Sequence, residues 1–279
     1  RHVIPVVGDL RPEDTTTREV AAALNVPLGA SYRNSLTAAF RKLGRYAVQR
    51  GATRVNVAAL VPRPPVARSA PREASSDDMA RVLKAAEGHR WELAAWLVVL
   101  TGLRRGEIPA LRWRDVDLAT GSLTVCGAMT RSSEGLQRGE PKTKRGNRRV
   151  PIPGPLREQI AAHRKRQNAE RLAAVYWEDT GYVLTSDVGT PVDPRNLSRE
   201  WSLWAERAGL ADRGMHLGRH FAATELLGSG LASVADVAAQ LGHDPGVLLR
   251  TYASAVSPSQ RAAAEYLAES LGTANGSRS

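Results

Sequence analysis

One cysteine, Cys126, stands among 279 residues. A lone thiol closes no intramolecular disulfide and no cysteine-rich zinc site, which excludes a small stapled secreted domain. Long hydrophobic runs are missing as well. The longest, Trp91 to Leu103, covers 13 residues and contains Glu92 and Thr101. A bilayer span takes about 20 apolar residues, so this run reads as a buried helix. The first residues lack the basic-then-apolar order of a secretory signal. There is no GxxxxGK(S/T) loop, which speaks against an ATPase, and no βαβα alternation, which speaks against a Rossmann-type enzyme. Internal repeats, low-complexity segments and Asp, Glu, His or Cys groups at metal-ligand spacing are equally absent. No cofactor is expected, and the expected compartment is the cytoplasm.

What the chain has in excess is positive charge. Its 39 Lys and Arg against 28 Asp and Glu leave +11, with a pI near 10.4. A basic protein of this kind meets phosphate, in nucleic acid or at an anionic membrane surface. The excess is uneven: residues 1–75 hold 12 basic and 5 acidic residues, so 12 − 5 = 7 of the 11 charges. The stretch VPRPPVARSAPREASS (61–76) has four prolines and no apolar period, and reads as an extended linker. The expected division is therefore 1–62, a linker at 63–75, and a larger domain over 76–279. Within the small piece, helices are expected near Thr17–Leu24 and Ser31–Arg50. The second would present Leu36, Phe40, Leu43 and Ala47 on one face. Its other face would carry Arg33, Arg41, Lys42, Arg45 and Arg50.

In the larger part, Ser76 is the expected N-cap of a helix running to Ala86. Further helices are expected over Arg90–Thr101, from about Arg105, and over Leu156–Leu172, Asn196–Ala208, Arg219–Leu227 and Ser233–Leu241. Gly242 serves as the last helix's C-terminal cap. Gly121–Met129 alternates as one strand, with Arg148–Ile152 as its partner. The fold class is mainly α with one small antiparallel β-sheet. Trp201 and Trp204, at helical spacing, read as core. Tyr176, Tyr182 and Tyr266 read as structural.

Taken singly, the motifs that carry chemistry are ordinary. Their order is not. TGLRRGE, a strand pair holding PKTKRGNRRVP, HLGRH, and then LGH with a tyrosine nine residues later resemble the tyrosine recombinase (phage integrase) family from Ser76 to about Ser257. The segment from Ser31 through GATRVNVAALVPRP resembles the end of that family's DNA-clamping N-terminal domain, present here in part. The resemblance implies a mainly α catalytic domain that cuts and rejoins DNA through a 3′-phosphotyrosyl link. Arg104 and Arg219 would grip the scissile phosphate, Lys142 would protonate the leaving 5′-oxygen, and Tyr252 would be the nucleophile. His216 would take the tyrosine's proton and His243 would donate a hydrogen bond to the phosphate. The sequence departs from the family's common HDLRH at Leu217 and Gly218.

The chemistry agrees with these residue types. An arginine fork pairs bidentately with phosphate oxygens and keeps its charge at any working pH. A tyrosine of pKa about 10 needs a base or nearby cations to act as nucleophile. Glu107, one helical turn after Arg104, is placed to hold it by an i,i+3 pair, with a plain surface salt bridge as the alternative. Arg33, Arg41, Lys42, Arg45, Lys144, Arg145 and Arg148 are candidate DNA-backbone contacts, together with Arg105 and Arg149. The implied partners are double-stranded DNA, with nucleoid association, and further protomers in a tetrameric synapse. A C-terminal helix starting at Ser257, with Ala263, Leu267 and Leu271 on one side, would either dock on a neighbour or pack on its own domain. A type IB topoisomerase-like enzyme and a DNA-binding remnant without catalysis are the alternatives.

Overall fold

The computed structural model describes residues 8–27, 29–63, 74–140 and 147–256, and the chain divides into two compact units, Arg1–Pro71 and Arg72–Ser279. Lys142, Lys144, Arg145, most of the linker and the segment from Ser257 lie outside the described residues.

In the first unit, α1 (Thr17–Leu24) starts at a capping box in which Thr16 and Glu19 satisfy each other's backbone N–H groups. It packs with α2 (Ala30–Gln49) and the short α3 (Val57–Leu60) around Val20, Leu24, Ala58 and Val61. The face of α2 that packs differs from the expected one. Leu43 is exposed, whereas Arg41 turns to the packed side and donates to Val61 O at 2.8 Å and Ala58 O at 3.3 Å. Gly44 explains the rotation: Asn56 sits so close that a Cβ on Gly44 would lie 2.1 Å from its Oδ1. Arg41 is thus a structural strut and Arg33 is half-buried, leaving Lys42 and Arg45 as the exposed ones among this unit's candidate DNA contacts.

The second unit is built on α5 (Glu92–Thr101), a helix apolar on every side and buried accordingly. Around it lie α4 (Ser76–Ala86), α6 (Gly154–Ala173), α7 (Pro194–Arg207) and α8 (His216–Gly228). Ser75, not Ser76, caps α4, accepting from Asp78 N at 3.1 Å. Trp201 and Trp204 of α7 are core, as their spacing suggests. Gly218 makes the departure in HLGRH intelligible. A Cβ there would fall 2.6 Å from Val98 Cγ1 and 2.7 Å from the Trp201 ring, so a glycine lets α8 press against α5. Then come α9 (Val234–Leu241) and α10 (Pro245–Val256). A small second core joins α8, α9 and α10 through Ala223, Leu227, Val237, Leu241, Leu248 and Tyr252.

Two antiparallel sheets are described where one was expected. Strands β1 (Val116–Asp117), β2 (Ser122–Val125) and β5 (Arg148–Pro151) form the first, with Leu123 opposite Val150. Strands β3 (Ala128–Ser132) and β4 (Gly135–Gly139) form the second. The expected single strand Gly121–Met129 breaks at Cys126–Gly127, because the Arg138 guanidinium occupies the space beside Gly127 and donates to Cys126 Sγ at 3.1 Å. The helix expected from Arg105 is a 3₁₀ turn, Ile108–Ala110, since Pro109 cannot donate to a continuing helix.

Candidate active site

The site forms where two helices stop. Both α5 and α9 end on a glycine in the left-handed conformation, Gly102 and Gly242, each with φ of 64°. Either helix end leaves unpaired carbonyls carrying the negative end of the helix dipole, and arginines take them up. Arg219, on the first turn of α8, donates to Gly102 O, to Leu241 O at 2.7 Å and to His243 Nε2 at 2.7 Å. Arg104 donates to Gly242 O, and Arg148 to Gln240 O at 2.6 Å. A side chain at either glycine would collide with this arrangement: a Cβ at Gly102 would lie 2.4 Å from Leu241 Cδ2, and one at Gly242 would lie 3.0 Å from the guanidinium nitrogens of both Arg104 and Arg148.

Three guanidiniums in one place require an anion, and Glu107 is that anion. It is buried, and receives Arg148 through two hydrogen bonds of 2.9 and 2.8 Å and Arg104 at 2.9 Å. Its second oxygen also accepts from Arg104 N at 2.9 Å. Burial alone would raise the Glu107 carboxyl, but the hydrogen bonds and charge of Arg148, with those of Arg104, hold it below the usual range. The sequence reading of Glu107 as the partner of Arg104 holds. The reading of Arg148 as a DNA contact does not, because its guanidinium is buried on Glu107. Arg149, the next residue, is the exposed one.

The cluster keeps three positive charges against one negative. Burial, then repulsion from Arg104, lowers Arg219 to about 10, which leaves it charged at neutral pH. His243 is lowered to about 4 by burial and by Arg219, Arg104 and Arg148, so it is neutral. Because Arg219 can only donate, His243 Nε2 accepts and the ring hydrogen sits on Nδ1. That Nδ1 is buried and has no partner among the described residues. Arg219 and His216 also line an open pocket with Arg105, Ser198, Ser202 and Arg213, a recess rich in cations.

Tyr252 comes from α10, whose helical course is interrupted at this residue with φ −123° and ψ 27°. The side chain is 4% exposed. Its hydroxyl is hydrogen-bonded to Nδ1 of His220, the second histidine of HLGRH, with ring centroids 5.6 Å apart. His216, the proton acceptor expected from the sequence, is exposed one helical turn earlier on α8. Burial raises the Tyr252 phenol while Arg219 works against it, and burial lowers His220, with His216 and Arg219 adding to that. The structure thus brings together Arg104, Arg219, His243 and Tyr252, with His216 at the rim. Sequence reasoning missed His220 and the strut role of Arg148. For His220 the available signal was its place four residues after His216, on the same helical face.

Two arginines fixed on helix ends, a histidine bonded to one of them and a buried tyrosine form a cationic constellation suited to an anionic group such as a phosphate. The sequence matches the model of the phage integrase family over residues 74–257, and the chain belongs to that family. A XerC-like tyrosine recombinase of Caldanaerobacter subterraneus subsp. tengcongensis is 34% identical over 182 residues, 61% of this chain and 46% of that one. An integrase of Streptomyces ambofaciens is 32% identical over 210 residues, 71% and 53% of the two chains. The chain spans about half the length of the curated relatives it matches. Among solved structures, the Tn1549 transposon integrase with circular-intermediate DNA superposes with a TM-score of 0.72 at 16% identity, over 94% of this chain and 86% of that one. A lambda integrase dimer on a core site gives 0.65 at 20% identity, over 90% and 84%. These two likenesses establish the fold. Among the described residues no helix is long and apolar enough to cross a membrane, and no group of acidic, His or Cys side chains is arranged to hold a metal ion.

Proposed function

We propose that this chain carries the catalytic part of a site-specific DNA recombinase of the integrase kind, in which Tyr252 attacks a DNA phosphodiester and forms a 3′-phosphotyrosyl link. The observation that carries the reading is the fixing of Arg104 and Arg219 around Gly242, with the Tyr252 hydroxyl inside the field of Arg219. An attacked phosphodiester gains negative charge as it becomes pentacoordinate. Guanidiniums held beforehand by backbone carbonyls stabilise that charge without reorganising. The Tyr252 oxygen–phosphorus bond forms, the phosphorus–O5′ bond breaks, and Lys142 supplies the proton to the leaving oxygen. The bond energy is kept in the phosphotyrosine, so rejoining needs neither nucleotide nor metal. His243 orients Arg219 through Nε2. The relatives named as recombinases and integrases support this reading, and with it go the assembly of protomers on paired double-stranded DNA sites and residence on the nucleoid.

Covalent trapping tests it. The protein is incubated with a pool of randomised duplexes carrying scattered nicks, protein-linked DNA is retained under denaturing conditions, and the recovered strands are sequenced. The wild type should return a defined sequence and Tyr252→Phe none, while both shift DNA on native gels. Adducts in the Tyr252→Phe variant, or none with the wild type, would overturn the assignment and favour a DNA-binding remnant.

A further inference from the structure

We infer that His220, rather than His216, is the group that receives the Tyr252 hydroxyl proton as the nucleophile attacks. This inference rests on the reading of Tyr252 as nucleophile and assigns a further catalytic residue to that reaction. The geometry points to it directly, since Nδ1 of His220 is the atom hydrogen-bonded to the Tyr252 oxygen, and the two rings meet at a tilt of 51° where Tyr252 joins the small core of α8, α9 and α10. A general base has to lie within hydrogen-bond reach of the proton it takes, and of the two histidines of HLGRH only His220 is bonded to that oxygen here.

The surroundings of His220 suit the task. From its own helix it faces His216 and Arg219, from the preceding loop Asp212, from the turn after α9 His243, and from α10 Tyr252 itself. Burial and the neighbouring cations keep the ring neutral at pH 7, and burial keeps the phenol protonated. With the ring hydrogen on Nε2, Nδ1 accepts from the hydroxyl, so the resting pair is a neutral acid on a neutral base. Spontaneous transfer would place an imidazolium beside the Arg219 guanidinium, whose charge opposes it. As the Tyr252 oxygen bonds to phosphorus, negative charge develops on the phosphate held by Arg104 and Arg219. The proton then moves to Nδ1 in the same step. The electron pair of the O–H bond becomes the new oxygen–phosphorus bond, and the pair of the phosphorus–O5′ bond leaves with O5′. During rejoining the imidazolium returns its proton to the departing tyrosine. The same contact gives His216 a different place, at the rim of the cationic pocket with Arg105 and Arg213.

The test uses the duplex recovered by covalent trapping, nicked beside the cleavage point so that adducts accumulate. Single-turnover rates are followed on denaturing gels from pH 5 to 10. His220→Asn keeps an oxygen that can accept the hydroxyl but cannot take up a proton. It should bind the duplex as the wild type does, yet form adduct about 10²–10⁴-fold more slowly at pH 7. Its deficit should shrink towards pH 10, where the phenol ionises unaided. His220→Ala should be slow and be accelerated by added imidazole. In the protein without DNA, Tyr252→Phe should raise the pKa of His220 read from its ring nitrogens by NMR, because the neutral ring loses its donor. His220→Asn cleaving at the wild-type rate would overturn the inference and leave the nucleophile standing. So would a His216→Asn variant that alone loses the low-pH inflection. Absence of adduct with the wild type removes the nucleophile, and the inference with it. A folding defect is excluded by the gel-shift affinity and by recovery with imidazole.

Discussion

At the scale of single residues, Glu107 decides whether the arginines stay where they are. A carboxylate at 7% exposure that neutralises Arg148 and steadies Arg104 is a buried ion pair, and removing one partner of such a pair costs about 3–5 kcal/mol. Glu107→Gln should therefore lower stability by that order in urea unfolding, and slow adduct formation further than the stability loss explains. Arg148→Met should behave alike in unfolding, since it strands Glu107. If Arg148 were a phosphate contact instead, the variant would keep its stability and lose DNA affinity. The sequence showed this cluster only in part. Arg104 and Glu107 are neighbours on the chain, and their pairing could be read from spacing. The pairing of Glu107 with Arg148 spans 41 positions and depends on β5 passing behind the turn, which no local pattern encodes. His220 meets Tyr252 across 32 positions for the same reason.

Among the elements, helices with a strong period and a glycine stop were readable to within a few residues, as α7 and α9 show. Misreadings fell where a long side chain from elsewhere set the backbone course. Arg138 splits one expected strand into β2 and β3, and Asn56 at Gly44 turns α2 so that Arg41 is used internally. The β3–β4 hairpin sits in a stretch whose polar, basic composition resembles a loop. Of its residues only Met129 is buried, with Leu136 packed against the same cluster, so little apolar pattern announces the pairing. Gly218 offers a clean test at this scale. In a helix interior, Gly→Ala stabilises by roughly 0.5–1 kcal/mol. Here the added methyl meets Val98 and Trp201, and overpacking of that kind costs about 1–3 kcal/mol. Gly218→Ala should lower the melting temperature and weaken the docking of α8 on α5. A raised melting temperature would mean that the helices shift apart without loss.

Across the whole molecule, charge and pH are the levers. DNA affinity should fall steeply with salt, with a slope of about −0.9 for each phosphate neutralised. Lys42 and Arg45 are exposed on α2, and the double change to Ala should flatten log K against log salt by about 2 units if both meet phosphates. Arg41→Ala should act on stability instead, because its guanidinium holds the carbonyls of Ala58 and Val61. Acid should loosen the second unit before carboxylates protonate. His163 is buried, hydrogen-bonded at 2.7 Å to Val183 O, and held at about 4 by burial. The unfolded chain takes up this proton near 6.5, so the stabilisation present above that pH is lost as pH falls towards 4, about 3 kcal/mol in all. Melting temperatures measured from pH 7.5 to 4.5 should fall accordingly, and His163→Gln should flatten the curve.

The arginines of this site hang on main-chain oxygens, at Gly102, Gln240, Leu241 and Gly242. A carbonyl is the same in every amino acid, so point mutation has no direct hold on these anchors. Drift in the side chains around them can therefore remodel the surrounding surface while the guanidiniums stay in place. The letters that cannot drift are the two glycines, since any side chain there strikes Leu241 or the arginines themselves. Such an arrangement tolerates change in the side chains around it and is brittle at the two glycines and at Glu107.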